Sequence, residues 1–281
     1  MEFINEAAIQ QAVYEQRPFP HAVIDNFIQA DKLDEIVFHL NALNENQAQN
    51  KNMVPDHPFE YNTIIFSSSV HPYLKQIFAE LNSPEFIGYL ENLTGISDII
   101  ATDIELRDNN IRRIKNGGHL QLHTDSNTYL DERARGKFDK RVNLSITMNP
   151  DWKDEYNGSI WLRHKEMETD VKKISPILNR CVIFNTSKNN IYGYPDVLNV
   201  PDNTFRHSID ISYYKQNNES AFDFEGDREH QPLWYSAIEV KSSDSQAEAE
   251  AEAEAEAEAE AEAEAQQTQT QAQTPLEVPL D

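Results

Sequence analysis

Cysteine is nearly absent. Cys181 is the only one in 281 residues, which excludes an intrachain disulfide framework. It stands in the apolar run Cys181-Val182-Ile183-Phe184, a setting for a buried, inert thiol rather than a nucleophile. No run of eighteen apolar residues is present, so no membrane span is expected. Basic residues are scarce: 24 Lys and Arg face 48 Asp and Glu, a formal net charge of −24. A chain this anionic repels phosphate backbones and anionic lipid surfaces at long range. Neither nucleic acid nor membrane is therefore an expected partner. The opening Met1-Glu2-Phe3-Ile4-Asn5-Glu6 lacks the basic start and apolar run of a signal peptide. Together these absences predict a soluble, cytoplasmic protein.

What is present divides near residue 240. From Ala247 to Ala265 alanine and glutamate alternate without a break, and Gln, Thr and Pro follow to Asp281. Alanine is too small to build a core, and a row of like charges repels itself, so this segment cannot offset its ordering entropy. Residues 241–281 are expected to be a solvated, disordered tail whose partners the sequence does not reveal. Its nine repeat glutamates, subtracted from −24, leave −15, so the folded domain expected over 1–240 is acidic as well.

Within that domain the hydrophobic period changes. Leu33, Ile36, Val37, Leu40 and Leu43 recur at helical spacing after Asp31, which reads as a cap. Leu74, Ile77, Phe78 and Leu81 make a second stripe. Ser83, Pro84, Phe86, Ile87, Leu90, Leu93 and Gly95 punctuate a third helix from N-cap to end. Residues 19–25 read as a short extended segment, and the rest of the first ninety-five as mostly helical. From about Asp103 the period becomes two. In Arg141–Met148 every even residue is apolar and every odd one polar, the pattern of a strand with one wet face. Ile209–Tyr213 alternates likewise, and His119–Asp125 less cleanly; Ser159–Arg163 and Cys181–Asn185 are further strands. Helices followed by many strands predict an α+β domain, a β-sandwich or jelly roll supported by N-terminal helices. Phe222, Phe224, Trp234 and Tyr235 are apolar enough to dock on it.

His-x-carboxylate occurs twice, at His123-Thr124-Asp125 and His164-Lys165-Glu166. With nine histidines and 48 acidic residues, about one such pair arises by accident, so the motif alone is weak. Placement separates the two. On a strand, residues i and i+2 share a face, so His123 and Asp125 can grip one ion. His164 lies in the charged run Arg163–Glu168 and reads as a solvated side chain. Imidazole and carboxylate on one face suit a divalent ion such as Fe(II), Mn(II) or Zn(II).

Around that pair, Gly117-Gly118-His119 through Asn127, Arg141-Val142-Asn143, and Asn149-Pro150-Asp151-Trp152 through Gly158 follow one another as blocks. They continue with Pro176 through Phe184, Tyr192-Gly193-Tyr194-Pro195-Asp196, and Arg206-His207-Ser208 leading to Tyr213-Tyr214. With the earlier Arg17-Pro18-Phe19-Pro20-His21 and Ile24-Asp25-Asn26-Phe27, their order and spacing over residues 17–215 resemble the prolyl-4-hydroxylase-like branch of the iron(II)/2-oxoglutarate-dependent oxygenase superfamily. The resemblance implies a double-stranded β-helix (jelly roll). It also implies Fe(II) and 2-oxoglutarate as cofactor and cosubstrate, with ascorbate as an accessory reductant, and hydroxylation of a small-molecule or peptide substrate. His123 and Asp125 resemble the first two iron ligands, Arg206 the arginine that pairs with the far carboxylate of 2-oxoglutarate, and Ser208 the accompanying hydroxyl donor.

Two departures matter. The family writes His-Gly-x-Pro where this chain has Tyr192-Gly193-Tyr194-Pro195, so Tyr192 stands where the third metal ligand belongs. Three readings are open: a phenolate ligand, although a phenol of pKa near 10 resists ionising; a two-residue centre completed by water; or a cup without metal that serves as a binding module. His119 shares a face with His123 but lies two residue pairs from Asp125, a long reach for one ion. Asp210 shares a face with Arg206 and Ser208 and would weaken the binding of a dianion. Tyr129–Asp139 is a candidate lid.

Overall fold

The computed structural model describes residues 1–49, 59–100, 109–125, 128–131, 136–167, 169–217 and 233–235. The tail expected over 241–281, together with Phe222 and Phe224, lies outside them. In chain order the elements are α1 (Glu6–Gln10), β1 (His21–Asp25), α2 (Leu33–Ala42), β2 (Glu60–Ser67), α3 (Pro72–Leu81) and α4 (Pro84–Thr94). Then come β3 (Ile99–Ile100), β4 (Asn110–Thr124), β5 (Thr128–Asp131), β6 (Gly136–Thr147), β7 (Ile160–His164) and β8 (Val171–Ile174). The last are β9 (Arg180–Asn185), β10 (Asn190–Tyr194), β11 (Arg206–Asn217) and β12 (Leu233–Tyr235). Among the described residues no helix is long and apolar enough to cross a membrane.

The strands form a curled, antiparallel jelly roll in the order β1-β9-β6-β11-β4-β10-β7-β8, with β2 and β12 also on β4, β3 on β11 and β5 on β6. Strand β4 makes the curl. Its first half pairs with β11 (Ile114 opposite Arg206) and its second half with β10 (His123 opposite Tyr192). The change of partner falls at Gly117-Gly118. Gly117 has φ +78°, and a Cβ on Gly118 would lie 2.3 Å from Ile114 Cγ2, so only glycine lets the strand turn there.

Alternation decides what faces where. Val142, Leu144, Ile146 and Met148 of the β6 region join Ile209 and Ile211 of β11 in one core with Leu74, Ile77, Phe78, Phe86 and Leu90 from α3 and α4. Burying each such side chain contributes about 1.5–3 kcal/mol, which holds the helices on one face of the sheet. The odd residues Asn143 and Ser145 turn to the other face and line a cavity.

Helix α4 has the expected punctuation: Ser83 Oγ accepts from Phe86 N, Pro84 is the first residue, and Gly95 closes it at φ +70°. Three expectations need correction. Asp31 does not cap α2; a 3-10 turn over Ala30–Lys32 runs into the helix, which starts without a side-chain cap. The helix is secured at its other end, where Arg113 donates to the carbonyls of Leu40 and Leu43. Strand β2 breaks the expected helical run, because Thr63–Ser67 finds the free edge of β4. The candidate lid starts as a hairpin, since β5 pairs with β6 from Thr128–Asp139 to Asp131–Gly136; residues 132–135 lie outside the described set.

Candidate metal and cosubstrate site

His123 and Asp125 come from the end of β4 and Tyr192 from β10 beside it. The pairing of β10 with β4 slips between Tyr192 and Tyr194, so that Tyr194 opposes Leu120. This bulge puts Leu120 and His123 in the same cavity lining, while His119 stacks on Tyr61. His119 therefore does not share the face of His123, which corrects the expectation from a regular strand. A second bulge lies between Tyr213 and Tyr214, opposite Val142 and Lys140. It turns Lys140 toward the cavity beside Asn143 instead of into the core.

The Nδ1 of His123 lies 2.9 Å from the Gln121 carbonyl. A carbonyl only accepts, so Nδ1 carries a hydrogen and Nε2 is the ring atom that faces Asp125. That Nε2 is 3.6 Å from Asp125 Oδ1. Tyr192 donates its hydroxyl to the same Oδ1 at 2.7 Å, and Asp125 Oδ2 receives Asn143 Nδ2 at 2.7 Å and Lys140 Nζ at 3.1 Å. Burial works against the charge of Asp125, but Lys140, His123 and Tyr192 outweigh it and hold the carboxyl well below the usual carboxylate range. Burial and the adjacent Asp125 push the Tyr192 phenol well above its ordinary value of 10. Without an ion beside it, Tyr192 is a neutral hydrogen-bond donor to Asp125.

At the other end of the cavity, Arg206 is only 2% exposed. Its Nε donates to the Gly158 carbonyl at 2.9 Å, and its guanidinium lies 4.4 Å from the centre of the Tyr194 ring. Its Nη1 is buried without a hydrogen-bond partner. The Gly158 position requires glycine: at φ +77°, a Cβ would meet Leu198 at 2.6 Å and Arg206 Cδ at 3.1 Å. Ser208 lines the cavity, but its hydroxyl donates to Asp210 Oδ2 at 2.9 Å, so a ligand carboxylate has to compete for that hydrogen. Asp210 does face the same way as Arg206 and Ser208, as alternation requires. Its charge is offset, because Ser145 donates to it at 2.5 Å and Arg112 Nε stands 3.3 Å away. Arg112 also pairs with Glu60 at 2.5 Å. His207 points the other way and accepts from Arg113 Nε at 2.9 Å. His164 sits outside the cavity, half-buried at the end of β7, its Nδ1 accepting from Glu166 N at 3.3 Å.

The donor set fits a divalent ion at two protein atoms. Two ligands each about 2.1 Å from one ion can be no more than about 4.2 Å apart, and His123 Nε2 and Asp125 Oδ1 satisfy that limit. The third position offers only the phenol of Tyr192; among the described residues no three His, Cys, Asp or Glu side chains converge. The set also fits a carboxylate at Arg206, where an unpartnered buried N–H costs about 1–3 kcal/mol until something accepts from it. Sequence reasoning missed Lys140, Asn143 and Arg112. Asn143 was already on the predicted wet face; Lys140 was hidden by its bulge.

Residues 110–212 match the family model described as the 2OG-Fe(II) oxygenase superfamily. No curated protein matches the chain. Among solved structures, a prolyl-4-hydroxylase from Pseudomonas putida is similar with a TM-score of 0.50 at 11% identity, covering 75% of this chain and 98% of that one. A prolyl hydroxylase from Trichoplax adhaerens, solved with a hypoxia inducible factor peptide, has a TM-score of 0.46 at 18% identity, covering 74% and 87%. The family uses Fe(II) and 2-oxoglutarate. Over residues 110–212 this chain is similar to the 2OG-Fe(II) oxygenase superfamily, and its jelly-roll fold is like that of the Pseudomonas putida enzyme.

Proposed function

We propose that the protein is an iron(II)/2-oxoglutarate-dependent hydroxylase in which His123 and Asp125 hold the metal, Tyr192 stands at the third position as a neutral phenol, and Arg206 with Ser208 receives the far carboxylate of 2-oxoglutarate. The observation that carries this reading is the buried Arg206 Nη1 without a partner, in the same cavity as His123 and Asp125. A structural arginine would have its donors satisfied; one aimed into a polar cavity is set for an anion.

When bound, Fe(II) with 2-oxoglutarate and dioxygen supplies the oxidising chemistry, in which the cosubstrate leaves as succinate and carbon dioxide and a substrate C–H bond gains a hydroxyl. The chain's own contribution is positioning and charge. Gly158 and Tyr194 fix the guanidinium of Arg206. Gln121 fixes the His123 tautomer. Lys140 and Asn143 hold Asp125 ionised and oriented, so a cation meets a carboxylate rather than a carboxylic acid. Ile160 and Phe184, packed against Tyr192, wall the cavity with apolar surface and limit water. The substrate is a small molecule or a peptide.

The test is succinate formation from 2-oxoglutarate with iron and ascorbate, for the wild type and for Tyr192→His. Turnover by the wild type supports the hydroxylase. Turnover only after Tyr192→His favours a non-catalytic cup that binds dicarboxylates. No turnover by either, with no bound metal, overturns the oxygenase reading.

A further inference from the structure

The cavity between His123 and Arg206 holds about 200 Å³. Pockets for drug-sized ligands run to roughly 300–1,000 Å³, so this space suits one small acid, and a larger substrate has to lie across its mouth. The mouth has a specific occupant. Strand β12 pairs with β4 in the register Leu233–Thr124, Trp234–His123, Tyr235–Leu122. At His123 the other side of β4 is taken by Tyr192 of β10, so β12 fills the remaining backbone edge, directly beside the metal-binding pair.

The contact is specific in its side chains and short in its backbone. The Trp234 ring stacks on His123 with centroids 4.7 Å apart and on Phe59 at 4.7 Å, and it lines the cavity. Leu233 N donates to Thr124 Oγ1 at 3.3 Å, while the Leu233 side chain stays 43% exposed. The Tyr235 ring lies 5.8 Å from the Arg163 guanidinium. A three-residue strand makes few ladder bonds, and an exposed sheet edge is a template for any extended chain. Phe59 and His123 form an aromatic slot that takes a flat ring whatever chain supplies it.

We infer that the β4 edge at Leu122–Thr124 is a seat for an extended peptide bearing an aromatic residue, and that the chain's own Leu233-Trp234-Tyr235 occupies it when no peptide is present. Taken with the hydroxylase reading, on which this point alone rests, the peptide is the substrate and β12 its intramolecular competitor. Displacing β12 frees the imidazole face of His123 and the cavity mouth together.

The probe is a fluorescent peptide copying the chain's own Gln-Pro-Leu-Trp-Tyr-Ser, residues 231–236, titrated into the full chain without iron or 2-oxoglutarate and read by anisotropy. Trp234→Ala empties the slot, and the peptide is expected to bind that variant at least tenfold more tightly than the wild type, while a scrambled peptide binds neither. Leu233→Pro, which removes the donor to Thr124 at a half-exposed position, is expected to give the same gain and serves if Trp234→Ala does not fold. Equal affinity for wild type and variants places the peptide elsewhere and overturns the inference. So does no binding to any of them. The readout involves neither metal nor turnover, so its failure leaves the hydroxylase reading standing, and loss of that reading leaves the seat standing.

Discussion

The hydroxyl of Tyr192 donates to Asp125 Oδ1 at 2.7 Å, and Asp125 Oδ1 is also the carboxylate atom nearest His123 Nε2. Tyr192 is thus tied to the atom through which a metal held by His123 and Asp125 would be bound. A divalent ion at His123 and Asp125 has to share or break that hydrogen bond. Tyr192→His replaces a neutral phenol with an imidazole lone pair at the same strand position. Divalent metal affinity, measured by calorimetry with Mn(II) on metal-free protein, is expected to rise at least tenfold. An unchanged affinity would mean that residue 192 does not face the ion.

Arg206 gives a second prediction. A hydrogen bond to a charged group contributes about 1.5–3 kcal/mol, and the carboxylate would take a buried, unpartnered donor of a guanidinium that is 2% exposed. Arg206→Leu is expected to weaken 2-oxoglutarate binding by one to two powers of ten, again by calorimetry. Arg206→Lys recovers only part of this, because a point charge cannot reproduce the planar fork. Binding that survives Arg206→Leu unchanged would move the dicarboxylate to Arg112.

Most of the fold was legible because alternation in Arg141–Met148 and Ile209–Tyr213 is clean, and because Ser83-Pro84 and Gly95 are strong helix boundaries. His123, Asp125 and Arg206 were legible from motif order, and the structure brings them to one cavity. Periodicity carries no mark for a bulge. The slip opposite Tyr192–Tyr194 sends His119 to Tyr61, and the slip at Tyr213–Tyr214 delivers Lys140 to Asp125. Strand β2 stayed hidden for another reason: Ile64-Ile65-Phe66 is a short apolar run, which spacing alone does not separate from a helix.

His207 predicts a pH dependence. Burial, then the charge of Arg113, lowers its pKa to about 3, against an ordinary 6.5. The folded state therefore binds fewer protons than the unfolded chain between those values. Stability is full above pH 6.5 and falls as pH drops toward 3, by no more than about 1.4 kcal/mol per unit. His207→Gln keeps an acceptor for Arg113 and removes the titration. Urea unfolding between pH 6.5 and 5.0, above the range where most carboxylates titrate, is expected to show a flatter slope for the variant. An identical slope would assign the acid sensitivity to other groups.

Lys140 separates the two roles of Asp125. Its Nζ is 3.1 Å from Oδ2, with both side chains about nine-tenths buried, so it neutralises the carboxylate in the metal-free protein. Breaking a buried pair by removing one partner costs about 3–5 kcal/mol, because the surviving charge is left uncompensated. Lys140→Met is therefore expected to lower the melting temperature of the metal-free protein by several degrees. The same substitution removes a positive charge from beside the ion, so Mn(II) should bind it more tightly than the wild type and restore much of the lost stability. A thermal shift with and without Mn(II) reads both effects in one experiment. If the variant were destabilised and Mn(II) returned nothing, Lys140 would be a structural partner of Asp125 alone and the cation would bind at other atoms.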